Sequence, residues 1–286
     1  MTASPAILTA FRELAPSYDA LICDVWGVLH DGQSAHRDAC AALKTFRDNH
    51  GPVILLSNAP RPVRDLEEQF AQFGVPHDCY DAIMTSGVAA HDDLARRSAN
   101  SRLKMLHLGP SRDKGVFDGL DVERVDATDA EIVLCTGFYD DDIETPDDYA
   151  PLLTDLQARG LTMLCANPDL VVQRGGRMIP CAGAMAAAYE AIGGPVVYYG
   201  KPHRPIYDVT LAEAARVAGR PVTRPLAIGD GMGTDLKGAN GMGIDALFIA
   251  DGIHGEDVRE LTTEHMAALF AGAGVHARAA MRALVW

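Results

Sequence analysis

Short apolar runs alternate with helix-like segments along almost the whole of this 286-residue chain. ALICDV (20–25), PVILLS (52–57) and AIMTS (82–86) are too short for core helices and predict buried strands. The segments between and after them, 34–49, 62–73 and 87–98, read as helices. The alternation then resumes, with strands predicted at 104–109, 131–137, 161–166 and 196–202 and helices at 147–159, 183–193 and 204–217. PLAIGD (225–230) and DALFIAD (245–251) are two more buried strands, with a helix between them and a last helix at 256–271. This periodicity predicts an α/β protein whose parallel sheets are covered by helices on both faces.

The residues able to do chemistry are unevenly spread. They sit at strand ends before residue 90 and after residue 195, while the middle of the chain is a further α/β module with fewer of them. A core interrupted by an inserted domain fits: 1–86 as the first part of the core, 87–195 as the insertion, and 196–286 as the rest of the core.

Composition narrows the classes. Apolar residues make up 48% of the chain and charged residues 22%, as in an ordinary soluble protein. With 25 Lys plus Arg against 39 Asp plus Glu, the net charge is −14, which opposes broad contact with a phosphate backbone and excludes a nucleic-acid partner. An acidic chain that handles an anion needs local help from a metal ion, a lysine or backbone N–H groups. The first twenty residues lack the basic start and unbroken apolar stretch of a signal peptide, and no apolar run is long enough to span a membrane. The six cysteines form no CxxC pair, and Cys23, Cys135 and Cys165 lie inside apolar runs, so buried reduced thiols and a cytoplasmic location are expected.

Four strand ends carry candidate chemistry. Asp24 ends the first run, with Trp26 and Gly27 just beyond it; Ser57 and Asn58 end the second. Lys201 precedes a helix in YYGKPHRPIY. Asp230 and Asp235 flank the glycine-rich turn of GDGMGTD, which matches neither G-x-G-x-x-G nor a P-loop. Each alone is equally a turn, a cap or a solvated side chain. Together and in this order they describe phosphoryl transfer: a carboxylate nucleophile, a hydroxyl and backbone N–H groups for phosphoryl oxygens, a lysine, and an Asp pair for magnesium. Neighbouring first and Asp-pair strands would bring Asp24 and Asp230 together at the carboxyl edge of the sheet.

DVWGVLHDG, LLSNAPRP, YYGKPHRPIY and IGDGMGTDLKGANGMG resemble, in order, the four motifs of the haloacid dehalogenase-like hydrolase superfamily. ANPDLVV (166–172) followed by GAMAAAYEAIGG is similar to the large cap of its subfamily IIA, the nitrophenylphosphatase-like and sugar-phosphate phosphatase-like proteins. The resemblance implies a Rossmann-like core of strand order 3-2-1-4-5 with an inserted α/β cap, acting with Mg2+ on a small phosphorylated metabolite. Asp24 would attack phosphorus and also bind magnesium, together with the main-chain carbonyl of Trp26 and Asp230, with Asp235 supporting the metal directly or through water. Ser57, Lys201, Gly27 and the backbone around Asn58 would hold the phosphoryl group, and Asn167 and Asp169 of the cap would face the substrate. Related caps often take part in dimers, so a homodimer is a further expectation.

One position departs from the pattern. The family's phosphatases carry a second aspartate two residues after the nucleophile as general acid and base, and here that residue is Trp26. Its carbonyl can still serve a metal, but an indole cannot exchange a proton near neutral pH. A positioned acid/base contributes about 10²–10⁴-fold, or roughly 3–5 kcal/mol. Three readings follow. The chain is a hydrolase with another proton donor (His30, Asp31, His203 or His254) or with a leaving group that needs little help. It is a phospho-ligand binding or regulatory protein on a hydrolase scaffold. Or it keeps the aspartyl intermediate and transfers the group, or cleaves a bond other than a phosphate ester.

Overall fold

The computed structural model describes residues 4–174, 177–253, 258 and 260–286. In chain order the strands are β1 (Ala6–Ile7), β2 (Ala20–Asp24), β3 (Val53–Ser57), β4 (Ala82–Thr85), β5 (Leu103–Leu108), β6 (Val122–Arg124), β7 (Ile132–Cys135) and β8 (Met163–Cys165). They continue with β9 (Val171–Arg174), β10 (Arg177–Pro180), β11 (Val196–Tyr198), β12 (Pro225–Gly229), β13 (Asp245–Ile249) and β14 (Ala279–Met281).

The chain divides into two compact units. The first comprises Met1–Ser57, Arg64–Met84 and Lys201–Trp286, and the second Asn58–Val63 and Thr85–Gly200. The second unit therefore runs to residue 200, where the sequence suggested 195, and takes in the short segment 58–63.

The first unit is built on a seven-stranded sheet of order β1-β14-β13-β12-β2-β3-β4. Read from β4, its first five strands run 3-2-1-4-5 in the order in which the sequence places them, and β14 and β1 extend the far edge. β2 pairs in parallel with β3 and with β12, and β12 pairs in parallel with β13. The apolar runs form strands because both faces are covered: Ala20, Leu21, Ile22 and Cys23 are buried, as are Val53 to Leu56 and Leu226 to Ile228. The pairing of Ile228 with Cys23 sets the ends of β12 and β2 side by side. The last helix spans Thr263–Ala273, with the Thr262 hydroxyl accepting from His265 N. That cap starts it later than the expected 256, and residues 256, 257 and 259 lie outside the described residues.

The second unit holds a five-stranded parallel sheet of order β11-β8-β7-β5-β6 and a separate antiparallel hairpin, β9 with β10. Its core is packed from Leu108, Val133, Phe138, Leu156, Met163, Met185 and Tyr189. All six cysteines are buried and unpaired by disulfides. Among the described residues, no helix is long and apolar enough to cross a membrane.

Candidate active site

Adjacent strands bring the chemistry together inside the first unit. Asp24 is the last residue of β2, and Asp230 follows β12, its neighbour. Past Asp230 the chain makes a π-turn over Met232–Leu236, in which the Leu236 N–H reaches back to Gly231 O. A wide turn of this kind swings Asp235 back toward the strand ends. Carboxylate oxygens of Asp24, Asp230 and Asp235 all lie within 4.8 Å of one another.

Lys201 reaches this cluster from just before the helix Arg204–Ala218. Its Nζ lies 2.5 Å from Asp24 Oδ1 and 2.8 Å from Asp235 Oδ1. Asp24 Oδ1 also accepts the Val25 N–H, at 2.7 Å. The other oxygen of Asp235 accepts from Gly231 N at 3.1 Å and from the Thr234 hydroxyl at 3.3 Å. Both Asp235 oxygens are thus already engaged by protein donors.

Burial sets the electrostatics. It raises the Asp24 pKa to about 7 against the pull of Lys201, with Asp230 adding to the rise. Asp230 and Asp235 are each raised to about 6, first by burial and next by a neighbouring carboxylate. Burial alone would depress Lys201, but Asp235 and Asp24 hold its pKa well above the ordinary lysine value. Three carboxylates on one buried ammonium leave an excess of negative charge and offer hard oxygen donors. That donor set fits a small divalent cation such as magnesium.

Two glycines shape the pocket around Asp230. Gly27 has φ +80°, and a Cβ there would lie 2.0 Å from Asp230 Oδ2. A Cβ at Gly252 would meet the same oxygen at 2.1 Å, and the neighbouring Ile253 N–H donates to it at 2.7 Å. Gly27, expected at the phosphoryl group, thus packs against a carboxylate of the cluster. Gly252, Ile253 and Thr234 were not singled out in the sequence, although the Asp-Gly pair at 251–252, just beyond β13, marks such a turn.

Ser57 ends β3, one residue past Leu56, which pairs with Asp24. Asn58 belongs to the second unit, where its side-chain amide donates to Asp169 Oδ1 at 2.8 Å, and Asp169 N donates to Asn167 Oδ1 at 3.0 Å. These three expected ligand residues are linked to one another.

Trp26 is 37% exposed, at the start of the turn leading to Gly32. Of the alternative proton donors, His30 is buried, with its ring centroid 4.9 Å from that of Phe73 and its Nδ1 accepting from Gly32 N at 3.1 Å. Burial lowers its pKa to about 4, so the ring is neutral at pH 7. Asp31 accepts the Gln33 and Ser34 N–H groups, and these bonds hold its pKa below the usual carboxylate value. It is an ionised turn residue. His203 is the N-cap position of the Arg204–Ala218 helix. His254 lies outside the described residues.

Comparison with known proteins places the chain in a family. Residues 21–123 match the model of a haloacid dehalogenase-like hydrolase family, and residues 198–272 match a HAD-hydrolase-like one. A crystal structure of a haloacid dehalogenase-like hydrolase from Brucella suis 1330 is 40% identical, with a TM-score of 0.84 over 98% of this chain and 100% of that one. The chain belongs to the haloacid dehalogenase-like hydrolase family. More distant relatives are phosphatases by name. A 5'-nucleotidase of Bacillus subtilis is 20% identical over 83% of this chain and 89% of its own length. The fold is also shared with a glycerol phosphate phosphatase of Mycobacterium tuberculosis solved in complex with magnesium, which is 20% identical with a TM-score of 0.64 over 87% of this chain and 73% of that one.

Proposed function

We propose that this protein is a magnesium-dependent phosphomonoesterase for a small phosphorylated metabolite, working through a phosphorylated Asp24. The observation that carries this reading is the buried Lys201 ammonium held between Asp24 and Asp235, with Asp230 alongside. Asp24 and Asp230, with the Trp26 carbonyl, would hold the cation. Asp235, its oxygens already engaged by Lys201, Gly231 and Thr234, would support the metal from outside and fixes the lysine. Magnesium bound there would neutralise charge and polarise a phosphoryl oxygen.

An Asp24 carboxylate oxygen attacks phosphorus as the ester P–O bond breaks. Lys201 and the Ser57 hydroxyl stabilise the phosphoryl oxygens, and water then cleaves the acyl phosphate to regenerate Asp24 and release phosphate. With Trp26 in place of an acid, the leaving alkoxide takes its proton from solvent, so the rate depends steeply on leaving-group acidity. Aryl phosphates are the favoured substrates of this reading and sugar phosphates the poor ones. The family resemblance extends it to a homodimer, which a measured solution mass tests, and six buried cysteines outside any disulfide support a reducing compartment.

Trp26 also favours a second reading, a phospho-ligand binder with little turnover. One panel separates the two: wild type, Asp24→Asn and Trp26→Asp, each with magnesium on an aryl phosphate and a set of phosphorylated metabolites. Turnover of the aryl phosphate that disappears in Asp24→Asn supports the hydrolase. A silent wild type that gains activity in Trp26→Asp supports the binder.

A further inference from the structure

The second unit contains a cavity of about 590 Å³ that the proposed chemistry does not use, lined by residues of that unit. It lies at the carboxyl end of β5. From β5 the chain moves to β6 on one side, while from β7, on its other side, it moves away to β8. Strand connections that leave in opposite directions open a crevice between them, and in open parallel sheets such crevices take ligands. Both loops reach this one: Gly109 and Ser111 after β5, and Tyr139 after β7.

Its walls are polar and fixed. A Cβ at Gly109, whose φ is +149°, would lie 2.0 Å from Thr136 Oγ1, so only glycine lets the β5 loop pass this close to the neighbouring strand end. The Tyr139 hydroxyl donates to His107 O at 3.0 Å, which pins a ring that is 53% exposed. Lys114 and Arg124 line the same space, and neither has a carboxylate within 4.0 Å among the described residues. Arg124 is held 5.9 Å over the Phe117 ring. After burial, Arg124 and then Lys114 also lower the pKa of His107 on that wall. Two cations without a carboxylate partner among the described residues thus stand beside an anchored aromatic face, in a chain of net charge −14. Asp126 and Asp129 supply acceptors for hydroxyl groups in the same cavity.

We propose that this cavity binds a phosphorylated compound with a planar ring, of the nucleoside monophosphate class: Lys114 and Arg124 take the phosphate, Tyr139 stacks on the ring, and the aspartates accept from sugar hydroxyls. The inference does not depend on turnover at Asp24, and its test removes that site from the readout.

The test is titration calorimetry of the full-length Asp24→Asn protein with AMP, in chelator without divalent cation. The predicted result is saturable binding that weakens at least tenfold in Lys114→Ala/Arg124→Ala and severalfold in Tyr139→Leu, with thermal melting unchanged. Both cations are exposed, so these variants keep their cores. No saturable binding, binding that is indifferent to the double substitution, or equal affinity for inorganic phosphate and AMP would each overturn the proposal. A failure here leaves the aryl phosphatase assay of the wild type untouched, and a silent phosphatase assay leaves this titration interpretable.

Discussion

Lys201 Nζ stands 2.5 Å from Asp24 Oδ1, the shortest tie between the two distant halves of the interrupted first unit's carboxylate cluster. The same ammonium is 2.8 Å from Asp235. Removing it leaves three buried carboxylates with no protein cation among the described ion pairs. Truncating one partner of a buried pair costs about 3–5 kcal/mol. Lys201→Ala should therefore melt well below the wild type without divalent cation, recover part of the difference in magnesium, and lose at least about 10²-fold in kcat as an electrostatic donor is lost. Paired thermal melts with and without magnesium, alongside kinetics, check all three.

Gly27→Ala should be as damaging as losing a metal ligand, although Gly27 carries no functional group. The new Cβ would occupy the place of Asp230 Oδ2, and φ +80° adds strain of about 1–3 kcal/mol to any other residue. The expected outcome is a lower melting temperature together with a magnesium affinity reduced at least tenfold. Calorimetric magnesium titration of the variant against wild type measures it.

Trp26→Asp restores a carboxyl group two residues from Asp24. It should raise the rate on alkyl phosphates by up to about 10²–10⁴-fold and on aryl phosphates far less, since an aryloxide needs little protonation. A plot of log kcat/KM against leaving-group pKa should be steep for the wild type and shallow for the variant.

Stability should fall with acid. His30 and His107 are both pushed down to about 4 by burial, His107 with help from Arg124 and Lys114. Between about pH 6.5 and 4 the unfolded chain binds protons that the folded histidines refuse, so stability rises with pH through that window and is lost as pH falls. Each histidine contributes up to about 3 kcal/mol at 1.36 kcal/mol per unit. The raised carboxylates act in the opposite sense. Cation-free protein holds their extra protons when folded, so their contribution declines as pH rises through about 4 to 7. Magnesium displaces those protons, and its stabilisation should be larger at pH 8 than at pH 5.5. Melting curves across pH, at saturating magnesium and in chelator, separate the two effects.

Much of this was readable from the chain because buried parallel strands are written as unbroken apolar runs. LICD and PLAIGD each end in the carboxylate they deliver, so Asp24 and Asp230 could be named before their neighbours were known. Short edge elements leave no such mark: β1 is two residues long, β14 is Ala-Ala-Met, and β6 is Val-Glu-Arg. The closing strands and the edge beside the cavity were therefore missed. Nor does spacing reveal sterics. The close approach of Gly27 to Asp230 and the burial of His30 against Phe73, which goes with a pKa lowered by burial, both come from tertiary packing that no spacing records.

The claim that Asp24 becomes phosphorylated is tested most directly by acid-quenching the magnesium-loaded enzyme during turnover of an aryl phosphate and locating the phosphate by peptide mass spectrometry. The account predicts a phosphate adduct on the peptide carrying Asp24, abolished in Asp24→Asn and accumulating to a higher level when leaving-group departure is fast. Turnover that persists undiminished in Asp24→Asn, with no adduct on that peptide in the wild type, would contradict it.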